Sequence, residues 1–427
     1  MRLSKYNYIF DDKDYSYWFN GLTKKYFRLS QPLSQKMERL TSDLEGLKTT
    51  SVSFYAKLVE GGFIVNDEED ELELVKRNNN DTIHNKEYFL IVLPTLNCNF
   101  KCWYCIQDHV DTQMSEATIQ RVLRHIDYMI DIKDISSLHL EWFGGEPLMY
   151  FKQVVDPISK YAISKCTKAG ISFQNSATTN GYYLNGDVLT ALEDLCFDHF
   201  QITLDGVQEL HDKVKFQNNC ASAFEHVLRN INAALNQTKN LKVFLRINYT
   251  HKNLSEEIVN QVNHYIEAAN RKRVIILPRK VWQEAPHKGL MAQVMKVLDK
   301  FEASGYKVSA FTPFNFFIPC YANKEFYNAI SYNGNVVKCT ANYDMYNPQP
   351  KGVLNENGKI DWKEDFDTKY QSKTYENTAC ATCKHLPICM GPCPRNYLNG
   401  STACKYEGED YGIEDLLFDF LKREYHG

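Results

Sequence analysis

The sequence predicts an α/β protein built on an open, partial (β/α)6 TIM barrel, with a winged-helix-like module before it and a cysteine-rich domain after it. Three observations predict this architecture. Strand-like apolar runs and helical segments alternate six times between residues 88 and 281. Before them lies a hairpin pattern followed by short helical stretches. After about residue 315 the alternation stops and cysteines crowd in. A chain of 427 residues is too long for one core, and we place the domain boundaries at 1–87, 88–314 and 315–427.

In the first domain, YSYWF and KKYFRLS flank Asn20-Gly21, which reads as a two-residue hairpin turn over Tyr15 to Leu29. Ser34 to Leu47 reads as one helix and Phe54 to Glu60 as a shorter one, ended by Gly61-Gly62. Phe63 to Val65 reads as a strand or turn, with an acidic helix after it. RNNNDTIHNK, residues 77–86, is polar and turn-rich and reads as a linker.

The barrel strands are expected at Tyr88–Pro94, Ser137–Phe143, Ser172–Thr178, His199–Leu204, Lys242–Tyr249 and Arg273–Pro278. Helical segments lie between them at Glu116–Ile130, Phe151–Cys166, Val188–Leu195, Ala223–Leu235 and Glu256–Ala268, with Ser115 as N-cap of the first. Repeated β-then-α units imply parallel strands joined by right-handed crossovers. Chemistry on such sheets sits at the C-terminal ends of the strands. In the third domain aliphatic residues are few, so staples are needed to hold the fold. Asp410 to Tyr425 closes the chain with an apolar helical pattern.

The net charge of −4 gives no hint of a nucleic-acid surface, and the acidic segment Asp67 to Glu73 argues against DNA on the N-terminal module. No apolar run approaches a membrane span, and the N-terminus lacks the order of a signal peptide. Thirteen cysteines without an export signal point to metal or cluster binding in a reducing cytoplasm.

Three of them, Cys98, Cys102 and Cys105, share the loop CNFKCWYC after the first barrel strand. Thiolates are the usual ligands of cubane iron–sulfur clusters. Three close thiolates can hold three irons and leave the fourth open to a small molecule. Structural zinc is the alternative, but zinc closes its tetrahedron with four ligands. The loop offers three, with His109 just beyond.

This spacing, with Tyr104 before the last cysteine, resembles that of the radical S-adenosylmethionine (SAM) enzymes. The resemblance implies that the open iron holds the amino and carboxylate groups of SAM. One-electron reduction would then yield methionine and a 5′-deoxyadenosyl radical. Other positions follow from the same resemblance. Tyr104 would lie near adenine. Gly144, Gly145, Glu146 and Pro147, the GGEP after strand two, would lie beside the methionyl amine. Asn180 sits in a TNG segment, and Thr203 precedes Asp205-Gly206. Lys215 follows His211-Asp212 where the family has an arginine, so charge is kept but the bidentate fork is lost. Arg246 and Asn248 on strand five complete the SAM-binding set. No catalytic side chain is assigned.

The C-terminal cysteines are Cys320, Cys339, Cys380, Cys383, Cys389, Cys393 and Cys404. Their spacing resembles the SPASM extension of radical SAM enzymes, which implies two auxiliary [4Fe–4S] clusters and three clusters in all. Cys380, Cys383, Cys389 and Cys404 would hold the outer cluster. Cys320, Cys339 and Cys393 would hold the inner one, whose fourth ligand is open. A zinc ribbon is the alternative. Cys166, Cys196 and Cys220 match no motif and read as buried or inert thiols.

SPASM-type relatives mostly modify peptides or proteins. The expected function is therefore that of a maturase that oxidatively modifies, by cross-linking or otherwise, a ribosomally made precursor peptide. The N-terminal module resembles the recognition element that binds the leader of such a peptide. An external one-electron reductant such as a flavodoxin or ferredoxin is the other expected partner. The alternatives are a protein-modifying enzyme such as a sulfatase maturase and a non-catalytic iron–sulfur scaffold. Thr340 after Cys339, where formylglycine-forming relatives carry an Asp, argues against the first alternative. The intact three-cysteine loop with GGEP argues against the second.

Overall fold

The computed structural model describes residues 1–309, 320–341, 345, 347–371, 373–404, 406–407, 409 and 411–426. It divides into two compact units, Met1–Asn85 with Phe311–Lys324 and Tyr370–Gly427, and Lys86–Ala310 with Glu325–Lys369.

In the first unit β1 (Arg2–Leu3) is followed by β2 (Asn7–Asp11), β3 (Tyr15–Asn20) and β4 (Tyr26–Ser30). These last three form an antiparallel sheet in that order, while β1 pairs with β5 (Ile64–Val65). The hairpin exists, but its turn is longer than Asn20-Gly21. Phe19 pairs with Tyr26, and Asn20 exchanges backbone hydrogen bonds with Lys24 and Lys25. The buried Asn20 side chain explains the extra length. Its Oδ1 accepts from the amides of Leu22 and Thr23, and its Nδ2 donates to Ser4, Asn7 and the Gly62 carbonyl.

The single helix expected over Ser34–Leu47 is two, α1 (Gln31–Thr41) and α2 (Leu44–Thr50), because Asp43 caps a new start by accepting from the Gly46 amide. The next helix, α3 (Val52–Glu60), ends at Gly61. The stretch expected as linker is largely helical, since α4 runs Glu71–Ile83. Glu71, Val75, Asn79 and Ile83 are buried on one stripe of α4, and Asp70 caps it. Polar composition hid that stripe. The core of this unit joins the two ends of the chain. Tyr8, Tyr17 and Phe19 pack with Ile388, Ile413, Leu417 and Leu421, the last three on the C-terminal helix Ile413–His426.

The second unit contains the expected parallel strands β6 (Glu87–Val92), β7 (Ser137–Trp142), β8 (Ser172–Thr179), β9 (Phe197–Leu204), β10 (Lys242–Tyr249) and β11 (Val274–Lys280). They lie side by side in chain order. Short strand β12 (Lys307–Val308) extends the sheet beyond β11. Beyond β6 come β13 (Tyr327–Ile330), β14 (Asn335–Val337), β15 (Gly352–Leu354) and β16 (Ile360–Trp362). Strands that add in one direction through right-handed crossovers put their helices on one face. Accordingly Leu138, Leu140, Trp142, Phe200, Ile202, Val243 and Leu245 share one large core with residues of α5 (Glu116–Asp131), α6 (Asp156–Ala169), α7 (Gly186–Thr190), α9 (Ala223–Gln237), α10 (Glu257–Tyr265) and α11 (Leu290–Ala303), while the short helix α8 (Gln208–Val214) sets its buried His211 against Phe224 of α9. Ser115 caps α5 by accepting from the Thr118 amide. The result is an α/β fold with a partial, barrel-like parallel sheet. Among the described residues no helix is long and apolar enough to cross a membrane.

Candidate functional site

The three-cysteine loop hangs from the C-terminal end of β6, and its two ends are tied together before the first thiol is reached. Buried Thr95 donates its hydroxyl to the Thr112 carbonyl and accepts from the Asn97 amide. Thr112 Oγ1 accepts from the Leu96 amide at 2.9 Å, and Asn97 Nδ2 donates to Asp111 at 2.9 Å. Residues 98–109 are thereby closed into a fixed loop, inside which the Cys105 amide donates to the Cys102 carbonyl.

The GGEP segment after β7 locks onto this stem. Gly145 and Glu146 donate their amides to the carbonyls of Thr95 and Asn97. A Cβ at Gly144, where φ is +130°, would stand 2.3 Å from the Thr95 carbonyl oxygen, and one at Gly145 would stand 2.0 Å from that of Asn97. The two glycines are thus required by close approach of backbone to backbone. Glu146 is fully buried and accepts from Thr179 Oγ1, the Asn180 amide and the Leu148 amide at 2.7, 2.8 and 3.0 Å. It ties the end of β7 to the end of β8. Burial pushes its carboxyl up to about 7, against the pull of those three hydrogen bonds. Pro147 opens the short turn that follows. Asn180 continues the link, donating Nδ2 to Asn99 Oδ1 at 2.8 Å and lying 3.8 Å from Cys98 Sγ.

On the other side of the loop, Tyr104 donates its hydroxyl to Asp205 Oδ1 at 2.5 Å. Asp205 forms an ion pair with Lys215, the two side chains only 2% and 3% exposed. Burial alone would raise the Asp205 carboxyl, but the Lys215 ammonium, His211 and the hydrogen bonds from Lys215 and Tyr104 together outweigh it and hold it below the usual range. Neighbouring His211 is held at about 3 by burial and Lys215, so it is neutral. Lys215, expected to meet the SAM carboxylate, is therefore engaged by Asp205 and also donates to the Thr203 carbonyl at 3.3 Å. Thr203 and Arg246 are register partners on β9 and β10, and Arg246 Nε donates to Asn248 Oδ1 at 2.8 Å. Arg246 makes no close ion pair among the described residues, although it feels the charge of Asp205, which Lys215 already engages.

Sequence reasoning noted His109 but missed two other contributors. Gln217 donates to the Asn99 carbonyl, Gln283 Nε2 donates to the Tyr104 carbonyl at 3.0 Å, and His109 Nε2 lies 3.3 Å from Cys105 Sγ. Gln217 and Gln283 sit far along the chain in loops of no distinctive composition, so no sequence signal marks them.

The residues fit a cluster. Burial, and then Glu146, pushes the Cys98 thiol up to about 12, and burial also raises Cys102 and Cys105. Free, all three would be protonated and poor nucleophiles, whereas a coordinating metal ionises a thiol outright. Asn99 Nδ2 and Gln107 Nε2 are buried donors in the same loop with no partner among the described residues, and cluster sulfides would accept from them. The three Sγ atoms do not gather within 4.8 Å of one another. One zinc ion, with bonds of about 2.3 Å, would hold its sulfurs closer.

Among the C-terminal cysteines, Cys380 is raised first by burial and then by Cys389, Cys383 and Cys404, so these four lie together in the first unit. No three of them meet the 4.8 Å spacing either. Cys320 and Cys393 also belong to the first unit, and Cys339, buried at the end of β14, to the second. Outside the motifs, Cys166 is buried and Cys220 half-buried. Cys196 is exposed rather than buried, on backbone of positive φ.

The family model of the Radical SAM superfamily matches residues 92–247, so this stretch is a radical SAM domain. Fe-coproporphyrin III synthase of Methanosarcina barkeri (strain Fusaro / DSM 804) is 26% identical over 163 residues, 38% of this chain and 37% of that protein. The match thus spans little more than a third of the relative. Among solved structures, anSMEcpe with bound AdoMet superposes with a TM-score of 0.55 at 16% identity, covering 80% of this chain and 95% of that one. Streptococcus suis SuiB bound to S-adenosylmethionine gives 0.51 at 16% identity, over 93% of this chain and 96% of SuiB. The same protein bound to precursor peptide SuiA gives 0.52 at 16% identity, over 93% and 96%. At these identities the likeness is one of fold.

Proposed function

We propose that this radical SAM enzyme is a maturase that oxidatively modifies, by cross-linking or otherwise, residues of a ribosomally made precursor peptide. The observation that carries the reading is the loop of Cys98, Cys102 and Cys105, fixed at the C-terminal end of β6 between Asn180 and Asp205.

Cys98, Cys102 and Cys105 would hold a [4Fe–4S] cluster, and the groups beside them would hold SAM. When bound, these cofactors supply a 5′-deoxyadenosyl radical by one-electron cleavage, with the electron from an external flavodoxin or ferredoxin. The protein orients and shields that chemistry. With Lys215 engaged by Asp205, Arg246 is the cation left to meet the SAM carboxylate. Asn180 and Thr203 line the same mouth, and Tyr104 is held by Asp205 for the adenine side. Cys380, Cys383, Cys389 and Cys404 would hold an outer auxiliary cluster, and Cys320, Cys339 and Cys393 an inner one. Such clusters suit the acceptance of the electron that a net oxidation releases.

Two features support a peptide substrate. SuiB, which shares the fold over most of this chain, is solved with a precursor peptide. The N-terminal sheet has two outer strands, β2 and β4, and an extended leader can add as a further strand to such an edge.

The test is anaerobic. The reconstituted protein is given SAM and a reductant, and 5′-deoxyadenosine is measured with and without the peptide encoded by a neighbouring short reading frame. Cleavage that is stimulated by the peptide and accompanied by a mass loss of hydrogens in it supports the reading. Cleavage with no change in any neighbouring peptide removes the peptide-maturase part and leaves the radical SAM assignment.

A further inference from the structure

The sheet of the second unit has a face that its helices do not cover. On it His139 and Glu141 of β7 stand beside Ser176 and Thr178 of β8, His199 and Gln201 of β9, and Phe244 of β10. Toward the N-terminal halves of the strands, the rings of His139 and His199 lie edge to face with centroids 5.7 Å apart. Asp198 Oδ1 is 3.0 Å from His199 Nδ1. One donor atom from each of His139, Asp198 and His199 lies within 4.8 Å of the other two, and no other three such residues meet this spacing among the described residues.

We propose that His139, Asp198 and His199 bind a divalent, borderline-soft metal ion of the zinc type, distinct from any iron–sulfur cluster. Two imidazoles and one carboxylate are a zinc donor set, and three protein ligands leave a fourth position for water or another oxygen. With bonds of about 2.0–2.2 Å, the three donors need only a small contraction to share one ion. The site is built on rigid strands, with its rings supported from outside. Phe89 packs on His139 at 4.5 Å, Phe244 on His199 at 5.3 Å, and Ser176 Oγ lies 2.7 Å from His139 Nε2 and fixes the tilt of that ring.

The site is remote from the cysteine loop. His199 precedes Asp205 by six positions on and beyond β9, about 20 Å at the usual strand rise. The proposal therefore does not rest on the maturase reading. Its ion would cross-brace β7 and β9 on the open face, and its free position would take an oxygen of whatever lies against that face.

The test uses the full-length protein with its iron reconstituted, stripped of loose metal by a chelator, equilibrated with one equivalent of Zn²⁺ and desalted. We expect about one zinc per chain, with a zinc K-edge spectrum showing only nitrogen and oxygen neighbours at about 2.0–2.2 Å. His139→Gln and His199→Gln should each weaken zinc binding tenfold or more with iron content unchanged. No zinc retained by the wild type, a sulfur shell near 2.3 Å, or undiminished zinc in both variants would overturn the proposal. The wild-type measurements decide the matter even if a variant fails to fold. Because iron content reports the cysteines separately, loss of radical activity and loss of this site can be told apart.

Discussion

The two groups of cysteines are held in opposite ways. Cys98, Cys102 and Cys105 hang from parallel strands, in a loop stitched shut by Thr95, Thr112 and Asp111 and braced by Glu146. Cys380, Cys383, Cys389 and Cys393 lie on or beside the helices Thr378–Ala381, Leu386–Cys389 and Pro394–Leu398, each a turn or so long. Helices that short have no stability of their own. What supports them is borrowed. Tyr6, Leu22 and Val75 pack on Leu386 and Met390, Tyr8 donates its hydroxyl to the Lys384 carbonyl, and Lys24 donates to that of Pro387. One region hangs from a frame of parallel strands, whereas the other rests on a core borrowed from the start of the chain.

The widest separation between the regions should come from removing thiols. Changing Cys98, Cys102 and Cys105 together to Ala should abolish 5′-deoxyadenosine formation and remove about four irons, while the melting temperature falls by only a few degrees. A collapse of the melting transition would break the comparison. Next, stripping iron anaerobically should open the C-terminal segment to protease between residues 370 and 412, while a fragment holding the parallel sheet survives. Equal protection of both regions in the metal-free protein would show that the short helices stand unaided.

A smaller effect tests the frame itself. Asp205→Asn leaves the buried Lys215 ammonium without its carboxylate and should cost about 3–5 kcal/mol in denaturant unfolding. The double change Asp205→Asn with Lys215→Met should recover most of it. The smallest effect is a pH dependence from Glu146. Its carboxyl is raised in the folded protein from 4.5 to about 7, so folding takes up a proton between those values. The resulting stability is fully present below pH 4.5 and lost as pH rises to about 7, a change on the order of 3 kcal/mol. Glu146→Gln should flatten that slope, and an unchanged slope would place the titration elsewhere.

Much of the fold was legible in the sequence because it is locally encoded. The six strand positions follow from apolar runs of strand length, and the α5 start from Ser115, whose hydroxyl does cap it. Where the reading strayed, a long-range partner had overruled local composition. Residues 77–83 look like a linker, but Val75, Asn79 and Ile83 form a buried stripe that makes them helix. Asn20-Gly21 looks like a two-residue turn, but the Asn20 amide is drawn inward by Ser4, Asn7 and Gly62.

By itself, then, the sequence determined the order of the strands, the thiol spacing and the glycines of GGEP, since these are properties of neighbouring residues. Only the tertiary structure decided that Gly144 and Gly145 are required by the loop stem, that Lys215 belongs to Asp205, that the first strands and the last helix share a core, and that His139 meets Asp198 and His199. Each of these joins residues distant in the chain. Which partner a buried charge or ring finds depends on how strands register and helices pack, and no local pattern carries that information.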